Sequence, residues 1–156
     1  YEQLSAFFTI ETIYLWMSFG VIPFWFILIF FPQSKVCGLL ATSIFPFLIL
    51  GSVYIYLVYY FFNTGYDFLE SFELYLGIYN LANLFENEDF LILIWTHFLA
   101  INLFCAAWIV RDSQKYFMPK YLNIIPLIIT YFVGPVGIVI YWIIRIFFAK
   151  KISLFD

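Results

Sequence analysis

The sequence predicts an all-helical integral membrane protein: a bundle of four transmembrane helices, with a short amphipathic helix between spans two and three. Three observations carry this. Hydrophobic residues make up 65% of the 156-residue chain and charged residues 11%, against about 25% charged in a soluble domain. The mean hydropathy is +0.98. The apolar residues also gather into four runs, each long enough for the roughly 20 residues that a spanning helix needs. At this length residues 1–156 form a single transmembrane domain with no room for a separate soluble module. The net charge of −3 argues against nucleic acid, which would call for a basic face.

The first span is expected over residues 13–31, after a polar lead-in containing Glu2, Gln3 and Glu11. Pro32-Gln33-Ser34-Lys35 ends it. The second covers 36–62, with a kink at Pro46, because proline removes a backbone donor. Residues 63–89 then hold Asp67, Glu70, Glu73, Glu86, Glu88 and Asp89 without a lysine or arginine. Phe72, Tyr75, Leu76 and Tyr79 fall there at the spacing of one helical face. They suit either a helix lying in the membrane interface or one packed under its own loop.

The third span covers 90–110 and is closed by Arg111, Asp112, Ser113, Gln114 and Lys115. The fourth covers 124–148 and is interrupted by Gly134-Pro135-Val136-Gly137. Pro135 leaves the Tyr131 carbonyl without its usual donor, and the glycines allow another backbone or a flat ligand to come close. Four crossings place Lys35, Arg111, Lys115 and Lys120 on one side and Arg145, Lys150 and Lys151 on the other. Four against three does not set an orientation. The chain begins at Tyr1, which leaves open a removed targeting segment or a longer product.

Ionisable and strongly polar groups at membrane depth are expensive, and mark candidate sites. The third span carries the sole histidine, His97, with Asn102 five residues on. The two lie about 140° apart around the helix and do not share one narrow face. His97 stripes with Ile101, Phe104 and Trp108, and Asn102 with Trp95 and Phe98. Three roles stay open for His97: a bond to a neighbouring helix, an axial ligand to a chlorophyll magnesium, or a proton-transfer group acting on a lipid-soluble substrate. Asp112 sits near a helix C-terminus, where the dipole disfavours an acid, so it needs a partner; Arg111 or Lys115 would serve. Glu11 reads as a solvated acid ahead of the first span. Cys37 and Cys105 show neither a CxxC pair nor metal-ligand spacing, and read as buried thiols. No motif for a soluble cofactor is present. Aromatic residues reach 26%, which suits contact with ring and conjugated ligands, with lipid, or with one another.

Four segments in this order and spacing are similar to one family. They are VIPFWFILIFFP (Val21 to Pro32), His97-Phe-Leu-Ala-Ile-Asn102-Leu-Phe104, Trp108-Ile-Val-Arg-Asp112-Ser, and Gly134-Pro135-Val-Gly137-Ile. They resemble the neoxanthin-synthase, or abscisic-acid-deficient-four-like, family of small four-helix plastid and cyanobacterial membrane proteins. The resemblance covers spans one, three and four. It implies a plastid membrane location, the thylakoid or the envelope, of which the thylakoid is the expectation here, and a link to xanthophylls, with the formation of neoxanthin from violaxanthin as the family's reaction. In that pattern an aspartate stands where this chain has Asn102, and a glycine where it has Ala106. An asparagine orients a substrate but carries no proton at neutral pH.

Two functional readings follow. The first is a non-catalytic subunit of a larger photosystem- or antenna-type membrane complex, embedded in membrane lipid. It would contact carotenoid and chlorophyll through His97, Asn102, Trp95, Phe104, Trp108, Gly134, Pro135 and Gly137, with His97 as the possible magnesium ligand and the acidic segment docking on a basic partner. The alternative is an enzyme isomerising an epoxy-xanthophyll, with His97 and Asn102 as the candidate catalytic residues and Glu11 as a substitute acid.

Overall fold

The computed structural model describes residues 8–150, 152 and 153. Among them, seven α-helices carry the chain: α1 (Ile10–Gly20), α2 (Ile22–Phe30), α3 (Phe45–Thr64), α4 (Ile78–Glu86), α5 (Glu88–Lys115), α6 (Ile124–Phe132) and α7 (Gly134–Ala149). Three stretches have the length and apolarity to cross a membrane: Ile10–Phe30, Cys37–Thr64 and Glu88–Lys115. By contact the chain divides into two units. One holds residues up to Gly20 and Phe47–Leu99; the other holds Val21–Pro46 and the chain from Ala100 onward.

In the first unit, α3 ends where Gly65 takes φ 86° and the Tyr66 N–H reaches back to the Phe61 carbonyl at 3.0 Å, the backbone reversal that glycine permits. The amphipathic stripe expected over Phe72–Tyr79 is split. Residues Glu70–Tyr75 form a 3₁₀ turn, and Gly77, at φ 143°, separates it from α4. Phe72, Tyr75, Leu76 and Tyr79 are all exposed, so the segment does not close over them. Asn87 then caps α5, its Oδ1 accepting from the N–H groups of Asp89 and Phe90. Glu88 and Asp89 complement the positive end of that helix. Thr96, buried in α5, donates to the Ile92 carbonyl and to the Met17 sulfur of α1.

In the second unit, Ser34 organises the turn after α2. Its hydroxyl donates to the Phe31 carbonyl and accepts from the Cys37 N–H. The kink expected at Pro46 is a break placed earlier. Residues Cys37–Ala41 make one wide turn, with the Thr42 N–H reaching the Cys37 carbonyl, and α3 restarts at Phe45 with Pro46 in its first turn. There the missing proline donor costs nothing. Gln114 donates to the Pro32 carbonyl at 2.7 Å, which joins the turn after α2 to the end of α5.

The expected fourth span, 124–148, is two helices. Val133 adopts φ −141° and ψ 79° between α6 and α7. Each piece is short of a crossing: nine residues in α6 and sixteen in α7, or about 14 and 24 Å at 1.5 Å per residue. The polar contacts fix their course. Asn123, just before α6, meets Ser113. Tyr131, near the end of α6, meets Asn102, and Gly134 packs on the same asparagine. Tyr141 and Arg145 of α7 then meet Asp112, and Arg145 also reaches Tyr116. The chain therefore runs along α5 to the level of Asn102 and returns. Gly137 lets the two helices touch, since a Cβ there would overlap the Thr130 hydroxyl and the backbone of Thr130 and Pro126.

Candidate functional site

Two polar constellations emerge, one in each unit. In the first unit, Ile10, Tyr14, Leu91, Ile92 and Trp95 line a groove of about 610 Å³ that also carries Glu11 and Glu88. Trp95 is fixed on three sides. Its Nε1–H donates to the Ser18 hydroxyl at 3.0 Å, its ring stacks on Phe98 at 5.4 Å, and Tyr14 tilts against it at 5.6 Å. A rigid aromatic wall, an apolar floor and two carboxyl groups make a site for a largely apolar ligand with a polar end. Small-molecule sites have this composition and occupy roughly 300–1,000 Å³.

In the second unit the polar groups are turned inward. Asp112 accepts from Arg145 Nε and from the Tyr141 hydroxyl, each at 2.6 Å, and from Arg145 Nη2 at 3.4 Å. The Arg145 guanidinium lies over the rings of Tyr116 and Trp142, at 4.7 and 4.6 Å from their centres. Arg145 is 1% exposed. The partner of Asp112 is thus an arginine 33 residues away, not only its neighbours Arg111 or Lys115. A carboxylate saturated by a planar guanidinium and a phenol is held, not poised to react.

The expected site residues do not converge on one pocket. His97 is exposed, its ring 6.3 Å from that of Tyr54. Ile101 and Phe104, on the same stripe, are also exposed. Trp108 packs on Tyr141 and Trp142. Asn102 is 5% exposed, and its Nδ2 donates to the Tyr131 carbonyl at 3.5 Å. That is the carbonyl orphaned by Pro135, so Asn102 bridges the break between α6 and α7, while Gly134 and Gly137 serve close packing within the hairpin. Of the expected residues, Trp95 and the substitute acid Glu11 line the groove. Among the described residues, no group of three or more His, Cys, Asp or Glu could hold a metal ion.

Sequence reasoning missed that Glu11 and Glu88, far apart in the chain, line one groove; their types signal only solvated ends. It also missed Arg145 as a buried group. The available signal was a single arginine inside the apolar run VGIVIYWIIRIFF, which membrane energetics alone marks as needing a partner. Asn102→Asp is expected to destabilise the hairpin by about 1–3 kcal/mol, because it removes the donor and sets a carboxylate against the Tyr131 carbonyl. Thermal unfolding in detergent micelles measures this, and an unchanged midpoint would contradict the bridging role.

Comparison with known proteins agrees with the segments in α2, α5 and α7. No solved structure matches the chain. Over 105 residues it is 27% identical to the protein ABA DEFICIENT 4, chloroplastic, of Arabidopsis thaliana. The match takes in 62% of this chain and 44% of that relative, so the chain spans under half of the relative's length. The ABA DEFICIENT 4-like family model matches residues 12–141, a stretch that holds Glu88, His97, Asn102, Asp112 and Tyr141, and the chain belongs to that family.

Proposed function

We propose that the chain is a plastid membrane protein that binds a xanthophyll, holding one polar end ring in the groove lined by Tyr14, Leu91 and Trp95, as a pigment-contacting accessory subunit of a thylakoid complex. The observation that carries this reading is the groove itself: a fixed tryptophan wall beside Glu11 and Glu88. An end ring with a hydroxyl matches it, because the ring packs on Trp95 while a carboxylate accepts from the hydroxyl. The polyene would continue over the exposed apolar surface that the spans offer to lipid. The exposed His97 favours a further contact with a pigment or a neighbouring subunit, and a chlorophyll magnesium is one group that a neutral imidazole there would ligate.

The presence of two carboxyl groups on the groove favours a second reading, isomerisation of an epoxy-xanthophyll. One carboxylic acid would protonate the epoxide oxygen as its C–O bond breaks. The other, as carboxylate, would remove a proton from the adjacent chain carbon, whose electrons form the new double bond. The change is redox-neutral, and needs one group protonated and its neighbour ionised. With Asn102 engaged by the hairpin, this reading rests on Glu11 and Glu88.

Native isolation with pigment analysis tests both. A xanthophyll is expected to co-purify, and Trp95→Leu to weaken its binding about tenfold, the loss of roughly 1.4 kcal/mol of ring contact. Protein that is folded and free of carotenoid would sink the proposal. Expression in a violaxanthin-making host separates the readings, since conversion lost in Glu88→Gln with pigment still bound would establish the enzyme.

A further inference from the structure

We propose that the chain crosses the membrane three times, that α6–α7 is a re-entrant hairpin entering and leaving on one side, and that this side is the cis side of insertion. The course of the hairpin is the first support. Asn123 before α6 and Arg145 near the end of α7 are both tied to the last turns of α5, through Ser113 and Asp112. The reversal between them lies at Asn102. Ten residues separate Asn102 from Asp112 along α5, about 15 Å of helix and half of a hydrocarbon core. A hairpin of that depth does not reach the other face.

The second support is that the backbone groups at the tip are partnered, although Val133 there is 50% exposed: its N–H donates to the Ile129 carbonyl, and its carbonyl accepts from the N–H groups of Val136 and Gly137. Backbone polar groups at membrane depth need such internal partners. Here Gly134 is buried against Asn102, and the Asn102 amide serves the freed Tyr131 carbonyl.

The third support is charge. With a fourth crossing the basic residues divide four against three. With the hairpin, Arg145 and Lys150 return to the side of Arg111, Lys115 and Lys120, and Lys35 follows the Pro32 turn that Gln114 holds to the same end of α5. Six of the chain's seven basic residues then lie on one side. The opposite end of α5 opens with Glu88 and Asp89. A count this lopsided sets orientation by the positive-inside rule.

Reporter placement in a bacterial inner membrane tests this independently of any pigment. A green fluorescent protein fused after Asp156 is expected to fluoresce, and alkaline phosphatase fused there to be inactive. Tyr75→Cys is expected to label with a membrane-impermeant maleimide in intact cells, and Lys120→Cys only after permeabilisation, with the unsubstituted chain as background. Tyr75 and the C-terminal reporter on the same side would overturn the hairpin in favour of a fourth crossing. Opposite sides with the assignment reversed would overturn the orientation. The two fusions carry the unsubstituted chain, so they read out even if a cysteine variant fails to fold. Failure of the topology leaves the pigment measurements untouched, and the converse holds too.

Discussion

Arg145→Ala is expected to lower stability by about 3–5 kcal/mol, the cost of leaving a buried charge without its partner. Asp112 would lose a 2.6 Å contact from Arg145 Nε at a site where it is 8% exposed, and water does not replace a guanidinium there. The rings of Tyr116 and Trp142 lose the guanidinium as well. The size of the effect comes from isolation of the surviving charge rather than from the strength of the pair. That makes a second expectation sharp. Asp112→Leu combined with Arg145→Met removes both charges, and is expected to regain at least about half of the loss, while the Tyr141 hydroxyl keeps the Met118 sulfur at 3.8 Å. Thermal unfolding of the three proteins in one detergent gives the comparison. A double variant as unstable as Arg145→Ala would mean that the cluster acts through shape and not through charge.

Gly137→Ala is the other large effect. A methyl group there meets the Thr130 hydroxyl, the Thr130 backbone nitrogen and the Pro126 carbonyl. A side chain could rotate away, but two of the three obstacles are backbone. Overpacking typically costs about 1–3 kcal/mol, and the upper end is expected because relief requires α6 and α7 to separate. Gly51→Ala in α3 is the matched control. Nothing lies within 4 Å of a Cβ at that position, and alanine gains roughly 0.5–1 kcal/mol over glycine inside a helix. The same substitution therefore has opposite signs at two helical sites. Equal effects at both would refute the close approach of α6 and α7.

The three long spans were legible because hydropathy integrates over many residues and their ends carry strong punctuation: the Pro32 turn, Gly65 with the acidic segment after it, and Asn87 ahead of Glu88. The last run was not, because hydropathy records that residues 124–148 are apolar and is blind to a reversal of direction among them. The local clue was present in Gly134-Pro135-Val136-Gly137, and it correctly marked Tyr131 as lacking a donor. What it could not say is that Asn102 supplies that donor, because the two are 29 residues apart. The same limit hid the groove, since Glu11 and Glu88 are ordinary helix-start acids until folding brings them together. His97 drew notice by its chemistry alone, and sits exposed beside Tyr54.

The buried pair between α5 and α7 also bears on how the chain is made. Arg145 is synthesised after α5, and an unaccompanied arginine at the centre of a spanning helix costs about 2.5–3.5 kcal/mol even on permissive insertion scales. Its acid, Asp112, is already in place on α5 by then. Helix α7 therefore does not partition into lipid by its own hydropathy; it folds onto a partner that earlier synthesis has installed. A ribosome-bound chain halted before Arg145 would carry Asp112 without its guanidinium, and synthesis of α7 would supply it.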